Sequence, residues 1–369
     1  MLNIPRCTRC LMPSTRPDTD FVDGICTACL HHDHQLKHIH WSERLLHLEQ
    51  LLERQKPNGS GFDCIVASSG GKDSTAQVLA LLELGARPLV VTATTCMLTK
   101  LGRKNIDNLK RYAPTIEVTP NQTVRARMNY LGLTKVGDIS WPEHIAIFTT
   151  PMRVAVAMGI PLVFYGENPQ AAYGGPVGSQ EAVQLTQRWV SEFGVLLGMR
   201  MTDVLSDFNG IGKKDIIEYS FPSEKDIKRV GCEAHFLGQY IGPWDGRKNA
   251  QIAVAHGFKY ECPSSTSWWP FENLDNAMTG IHDYFMFLKY GYNRACPQLS
   301  VDIRTGYITR EAAIPELNKR EGHFPTRYAG VMLNDVLGHI GMKVDEFFKV
   351  SERFTNHDLF GDTPDGPRN

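Results

Sequence analysis

Asp63-Cys64-Ile65-Val66-Ala67-Ser68-Ser69-Gly70-Gly71-Lys72-Asp73-Ser74-Thr75 reads as a buried strand that turns abruptly into a helix. Gly70 and Gly71 allow the unusual dihedrals of such a turn and let backbone amides approach an anion closely. Ser69, Ser74 and Thr75 add hydroxyl donors, Lys72 adds a positive charge, and the helix starting near Ser74 points the positive end of its dipole at the loop. The stretch is a candidate pyrophosphate cradle. A glycine turn beside a helix N-cap is the plainer alternative.

Outward from this turn the pattern repeats. Apolar runs at Pro88–Thr94, Thr115–Val118 and Pro161–Tyr165 alternate with helical spacing at Ser74–Leu84, Lys104–Tyr112 and His144–Met158. This alternation predicts an α/β fold with a parallel, doubly wound sheet covered by helices on both faces. Ligands of such sheets bind beyond the carboxyl ends of the strands. Gly166-Glu167-Asn168-Pro169-Gln170 stands at such an end, so Glu167 is a candidate to bind magnesium and Asn168 to bind substrate. A helix cap or turn after Tyr165-Gly166 is the alternative there.

The length of 369 residues exceeds one average domain. The segments are a cysteine module over 1–34, a linker helix within 35–60 and a loop-bearing α/β domain over 61–245, with an insertion at about 169–229 that opens on Tyr173-Gly174-Gly175. Phe236–Ile241 reads as a last strand. A mainly helical region over 246–361 follows, then a polar tail over 362–369 expected to be disordered. With 42% hydrophobic residues, 21% charged residues and a net charge of −1, the composition is that of a globular enzyme, not of a disordered or nucleic-acid-coating chain. There is no run of about 18 apolar residues and no apolar signal region after Met1, so the expectation is a cytoplasmic protein with no membrane span and no nucleic-acid partner.

Four of the nine cysteines fall in two close pairs, Cys7-Thr8-Arg9-Cys10 and Cys26-Thr27-Ala28-Cys29. Two such knuckles present four thiolates tetrahedrally to one zinc ion and leave no open position, which makes the site structural. Zinc would supply the folding free energy, on the order of 10 kcal/mol, that this weakly apolar segment lacks. An iron–sulfur cluster or unligated thiols are the alternatives. His31, His32, His34, His38 and His40 read as a solvated helix start, and Cys232, Cys262 and Cys296 as isolated packing residues. His282-Asp283 is not a proton-transfer pair, because adjacent helical residues do not face one another.

Ser69-Gly70-Gly71-Lys72-Asp73-Ser74 is not a Walker A loop, since Asp73 stands where Ser or Thr is required. It resembles the Ser-Gly-Gly-x-Asp-Ser signature of the PP-loop ATP pyrophosphatases, whose fold is of the adenine nucleotide alpha hydrolase type. That resemblance implies splitting of ATP to AMP and pyrophosphate, with Ser69 to Thr75 on the phosphates, Asp73 helping to hold Mg2+, and the end of the second strand, Ala93 to Thr95 with Thr94 among the ligands, against adenine.

A wider set of segments is similar to the N-acetyl sugar amidotransferase family of surface-polysaccharide and flagellar-glycan synthesis. The set comprises Cys7 to Pro13, Asp23 to Cys29, the phosphate loop, Gly166 to Gln170 with Tyr173-Gly174-Gly175, and Trp244-Asp245. It continues with Leu288-Lys289-Tyr290-Gly291-Tyr292, Asp302-Ile303-Arg304 and Gly306 to Glu311. The resemblance implies adenylation of an acetamido oxygen on a nucleotide-linked or nonulosonic-acid sugar, then its replacement by ammonia. It also implies a separate glutaminase like the histidine-biosynthesis amidotransferase subunit, with a cyclase-like barrel as conduit. Leu2, standing where a built-in glutaminase would carry its cysteine, agrees with that.

On this reading Lys72, Asp73, Glu167 and Lys289 are catalytic, with Lys289 and Arg294 facing the leaving pyrophosphate. Asn168, Tyr173, Arg294, Arg304 and Arg310 contact substrate. Surface salt bridges are the alternative for the arginines, and core and cap roles for Trp244-Asp245. A PP-loop tRNA thiolation enzyme is the competing function; it needs a basic surface and cysteines near the nucleotide.

Overall fold

A computed structural model describes residues 2–56, 59–193, 198–199, 201–207 and 211–361, with the side chains of 193, 206 and 207 excepted. The expected tail over 362–369 lies outside the described residues. The chain opens on the cysteine module, where strands β1 (Phe21–Val22) and β2 (Ile25–Cys26) pair antiparallel. Asp23 and Gly24, with φ of 50° and 76°, form the two-residue turn between them, the left-handed geometry that matches hairpin twist. The helix Thr27–His38 then starts inside the second cysteine pair.

The single bridging helix expected from Gln35 is in fact two, Thr27–His38 and Trp41–Gln55, broken where Ile39 and His40 are extended. The first has little apolar periodicity and is ordered by the cysteine cluster instead. The second buries Leu48, Leu51 and Leu52 against the sheet.

Five parallel strands form that sheet: β3 (Cys64–Ser68), β4 (Pro88–Ala93), β5 (Thr115–Val118), β6 (Leu162–Tyr165) and β7 (Glu233–Phe236). Their order is β5-β4-β3-β6-β7. The last strand sits earlier than the expected Phe236–Ile241, because the chain turns into a short 3-10 segment at Leu237–Gln239. Alternate residues serve opposite faces. Val66, Val90 and Phe164 pack with Val78 and Leu81 on one side, while Ile65, Val91 and Val163 pack with Met152 and Ala155 on the other. Burial on both faces is why these strands read as continuous apolar runs.

The helix Lys72–Glu83 lies on the first face with Gly246–Ala255 alongside it, and Trp141–Met158 crosses the second. No helix among the described residues is long and apolar enough to cross a membrane. The C-terminal region is mainly helical, as expected, with one hairpin of β8 (Arg327–Tyr328) and β9 (Val331–Met332). Its core joins Phe285, Leu288, Val336 and Phe347 to Leu133, from the π-helical turn Gly132–Val136, and to Ile139 just after it.

Candidate active site

The strand order places a switch point between β3 and β6: the chain leaves β3 toward β4 on one side and reaches β6 from the other. The two segments that follow these strands therefore face one another. After β3, the amide of Gly70 donates to Ser68 Oγ at 2.9 Å, that of Ser69 to Ser74 Oγ at 3.3 Å, and the Thr75 hydroxyl to the Gly71 carbonyl at 3.0 Å. Gly70 has φ of 77°, and a Cβ there would lie 2.8 Å from the backbone nitrogen of Ile106, so only glycine fits.

Lys72 is buried. Its Nζ lies 2.5 Å from Asp73 Oδ2 and 3.0 Å from Glu272 Oε1, and it faces the rings of Trp269 and Phe271 at 5.7 and 5.8 Å. Burial alone would neutralise the amine, but Asp73 and Glu272 hold it charged and raise its pKa. Asp73 Oδ1 accepts from Asn249 at 2.8 Å, and Glu272 Oε2 accepts from Gln298 at 2.7 Å. Lys72 in turn keeps Glu272 below its ordinary value against the effect of burial.

Glu167, from the end of β6, completes the cluster without a cation of its own. Burial, reinforced by Asp73, pushes its carboxyl up to about 8. The folding consequence has a definite sign. Below its ordinary value of 4.5 the group is protonated folded and unfolded alike. Between 4.5 and about 8 the folded state binds the extra proton, so stability falls as pH rises through that window. Glu167→Gln removes this penalty: the variant should match wild type near pH 4.5 and melt higher at pH 8 and above. A pH series of thermal melts without nucleotide tests it, and a lower melting temperature for the variant at pH 8 would refute the assignment.

Two cavities meet at Ser69, Asp73, Glu167 and Asp275. One, of about 260 Å³, is walled by the glycine loop, Tyr173, Phe271 and Arg294. The other, of about 270 Å³, runs under the β4 end between Ala93, Thr95, Arg125 and Phe148. Arg125 is buried there and pairs with Glu143 at 3.1 Å and with the Tyr219 hydroxyl at 2.7 Å. Burial raises Asp275 to about 6.

Several expected ligands sit elsewhere. Thr94 turns away to Thr119 at 3.3 Å, because strand alternation puts Ala93 and Thr95 on the cavity side. Asn168 caps the helix Pro169–Tyr173 and spends its amide on the carbonyls of Ser179, Gln180 and Ala182, while it also stands in the wall of a small cavity beside Glu167 and Tyr173. Lys289 points at the Val136 carbonyl, 3.4 Å away, and lines neither cavity. Arg304 donates to the Ala172 carbonyl and approaches Cys10 Sγ at 3.9 Å, while Arg310 Nε donates to the Cys10 carbonyl at 3.0 Å. Both arginines tie down the cysteine module, and Arg304 also lines a further cavity, of about 70 Å³, with Asn168, Tyr173, Lys72, Glu167 and Glu272. Tyr173 and Arg294 do line the cavity, but Arg294 is held by Asp283 at 2.9 Å.

Glu272, Asp275, Asn249 and the Trp269–Phe271 wall were not foreseen. Asn249 comes from the helix Gly246–Ala255, and the others arrive on an irregular crossing loop, Ser264 to Ala277, where Gln298 accepts from the amides of Trp268 and Trp269 and Asp302 from both indole nitrogens. Thr99 N donates to the Asp275 carbonyl at 2.9 Å and fixes its far end. The run Trp268-Trp269-Pro270-Phe271-Glu272-Asn273 carried a signal: Pro and Asn among large aromatics mark an ordered loop, where binding groups concentrate.

Cys7, Cys10, Cys26 and Cys29 converge, all fully buried, with Sγ atoms within 4.8 Å of one another. Cys7–Cys29 and Cys10–Cys26 lie at 3.9 and 3.7 Å, against the edge of about 3.8 Å for a tetrahedron with zinc–sulfur bonds of about 2.3 Å. Backbone amides of Cys26 and Met12 point at Cys7 and Cys10 Sγ, at 3.3 and 3.4 Å, and Arg304 adds positive charge. Buried amide donors and a cation around four sulfurs suit thiolates, so the donor set fits a structural zinc ion.

Sheet, switch-point cluster and cysteine module together define an α/β protein with a glycine loop facing a lysine–carboxylate cluster. Residues 259–364 match the family model described as "LPS biosynthesis protein WbpG-like, C-terminal domain", which supports a WbpG-like polysaccharide biosynthesis protein and fits a role in LPS sugar synthesis. A comparison with curated proteins finds none that matches the chain.

Proposed function

We propose that the chain is a PP-loop ATP pyrophosphatase that acts as an N-acetyl sugar amidotransferase. It transfers AMP to the acetamido oxygen of a nucleotide-linked or nonulosonic-acid sugar, and ammonia then replaces that oxygen to leave an acetamidino group, AMP and pyrophosphate. The observation that carries this reading is the approach of the Ser69–Thr75 loop and Glu167 across the switch point, with a cavity on either side. The WbpG-like match over the C-terminal region supports the pathway.

The amide oxygen attacks the α-phosphorus, and pyrophosphate departs into the loop amides beside Lys72. Ammonia then adds to the activated carbon, the carbonyl carbon–oxygen bond breaks, and AMP carries the oxygen away. Glu167, poised near neutrality, accepts the proton that ammonia sheds. The cavity under Ala93 and Thr95 receives the nucleoside, and the one beside Tyr173 and Arg294 the sugar. Asp73 offers the hard oxygen donor that Mg2+ prefers, and the ion would offset phosphate charge. A separate glutaminase, through a barrel partner, supplies ammonia. Against tRNA thiolation, no cysteine lines either cavity among the described residues.

The decisive experiment labels the acetamido oxygen with the heavy isotope and supplies ATP, Mg2+ and ammonium. The label should appear in the phosphate of AMP, and the sugar should exchange oxygen for NH by mass spectrometry. ADP with labelled inorganic phosphate, or an unchanged sugar beside a modified tRNA base, would overturn the proposal.

A further inference from the structure

A second cluster of metal-ligating side chains lies away from both cavities. Asp138, His144 and His282 bring their ligand atoms within 4.8 Å of one another. His282 Nδ1 lies 2.8 Å from Asp138 Oδ1, and His144 Nδ1 lies 3.1 Å from Asp138 Oδ2. The two imidazoles meet edge to face, with centroids 5.1 Å apart. Ligands bound at about 2.0–2.2 Å in tetrahedral or octahedral geometry sit about 2.8–3.5 Å apart, so both contacts are the edges a metal polyhedron would have. The carboxylate is 3% exposed and the imidazoles 25% and 23%, which closes the site on one side and leaves room for water or another ligand on the other.

The three residues come from separate pieces of the fold. Asp138 follows a π-helical turn, Gly132–Val136, and the left-handed Gly137, and its Oδ1 also accepts from the Ser140 amide at 2.9 Å. Such π turns recur at functional sites. His144 lies in the first turns of Trp141–Met158, and His282 in the first turn of Thr279–Tyr290. Lys289 meets the Val136 carbonyl and Arg294 meets Asp283, and among the described residues no lysine or arginine is hydrogen-bonded to the buried carboxylate.

We propose that Asp138, His144 and His282 form a second metal site, for a divalent ion of the zinc class bound through two imidazole nitrogens and one carboxylate. The ion joins the α/β domain, through Asp138 and His144, to the C-terminal region, through His282. Asp283, the next residue, points the other way and holds Arg294 in the wall of the active cavity. The ion is thus a latch that sets the register of Thr279–Tyr290 and, through it, the place of Arg294. This metal site does not depend on the proposed reaction.

The test is metal stoichiometry on the full-length protein, loaded with excess zinc, desalted and analysed by mass spectrometry. Wild type should retain two ions per chain, and His144→Ala/His282→Ala one. Loading with cobalt should give thiolate charge-transfer bands in both, with the weaker bands of a nitrogen–oxygen site lost in the variant. If the double variant does not fold by circular dichroism, His282→Gln, at a partly exposed ligand, carries the same measurement. A wild type that retains one ion, or variants that retain two, would overturn the site.

Discussion

Lys72→Met should lower the rate of AMP formation by about 100–1000-fold, the effect of deleting one charge-stabilising donor at a reacting centre. The same substitution takes from Asp73 and Glu272 the cation that bridges them, in a site where the lysine is 3% and Glu272 13% exposed. Loss of one partner from a buried pair costs about 3 kcal/mol or more, so the variant should also melt lower. The two effects are separable. Lys72→Met/Glu272→Gln removes the stranded charge and should recover most of the stability while AMP formation stays low. Melting curves and single-turnover AMP release on the three proteins read this out. If the double variant recovers turnover, or the single variant stays within tenfold of wild type, Lys72 is an internal counter-ion to the carboxylates and does not act on the phosphates.

Cys26→Ser should be the most destabilising change in the chain. A structural zinc site supplies on the order of 10 kcal/mol, as much as the whole net stability of many domains. The module's own buried cluster is chiefly the four cysteines with Met12 and Ala28, while Leu11, the Arg6–Glu321 pair and Arg310 fasten it to the C-terminal helices. The damage should reach the active site, because Arg16 and Thr19 both donate to the Gly174 carbonyl, at 2.7 and 2.5 Å, next to Tyr173. Expected results are loss of the ion from this site, proteolysis within residues 1–40, and a large fall in turnover. Strong chelators should reproduce them in wild type. Unchanged melting and protease resistance in the metal-free variant would show that packing alone orders the module.

Much of this layout was legible in the chain. A strand buried on both faces must be apolar throughout, so β3, β4 and β6 announced themselves within a residue or so, and the cysteine spacing carried the cluster directly. The break between Thr27–His38 and Trp41–Gln55 was not legible, because sulfur ligands, not apolar periodicity, order the first helix. The carbonyls that Lys289 and Arg310 meet were not legible for a related reason: a cation in a suggestive segment does not reveal which anion or carbonyl it will meet.

The sequence by itself determined the local devices. Gly70 and Gly71 set the loop, Tyr165 to Glu167 set the second strand end, and the cysteine pairs set a cluster that could hold a metal, because each depends on residue type at short spacing. Only the tertiary structure decided what faces Lys72. Glu272 stands far along the chain on a loop held by Gln298 and Asp302, and Asp138 meets His282 across a similar gap. Such pairings arise when elements pack, where burial strengthens each charge contact and makes an unpaired one costly, and no short-range pattern encodes them.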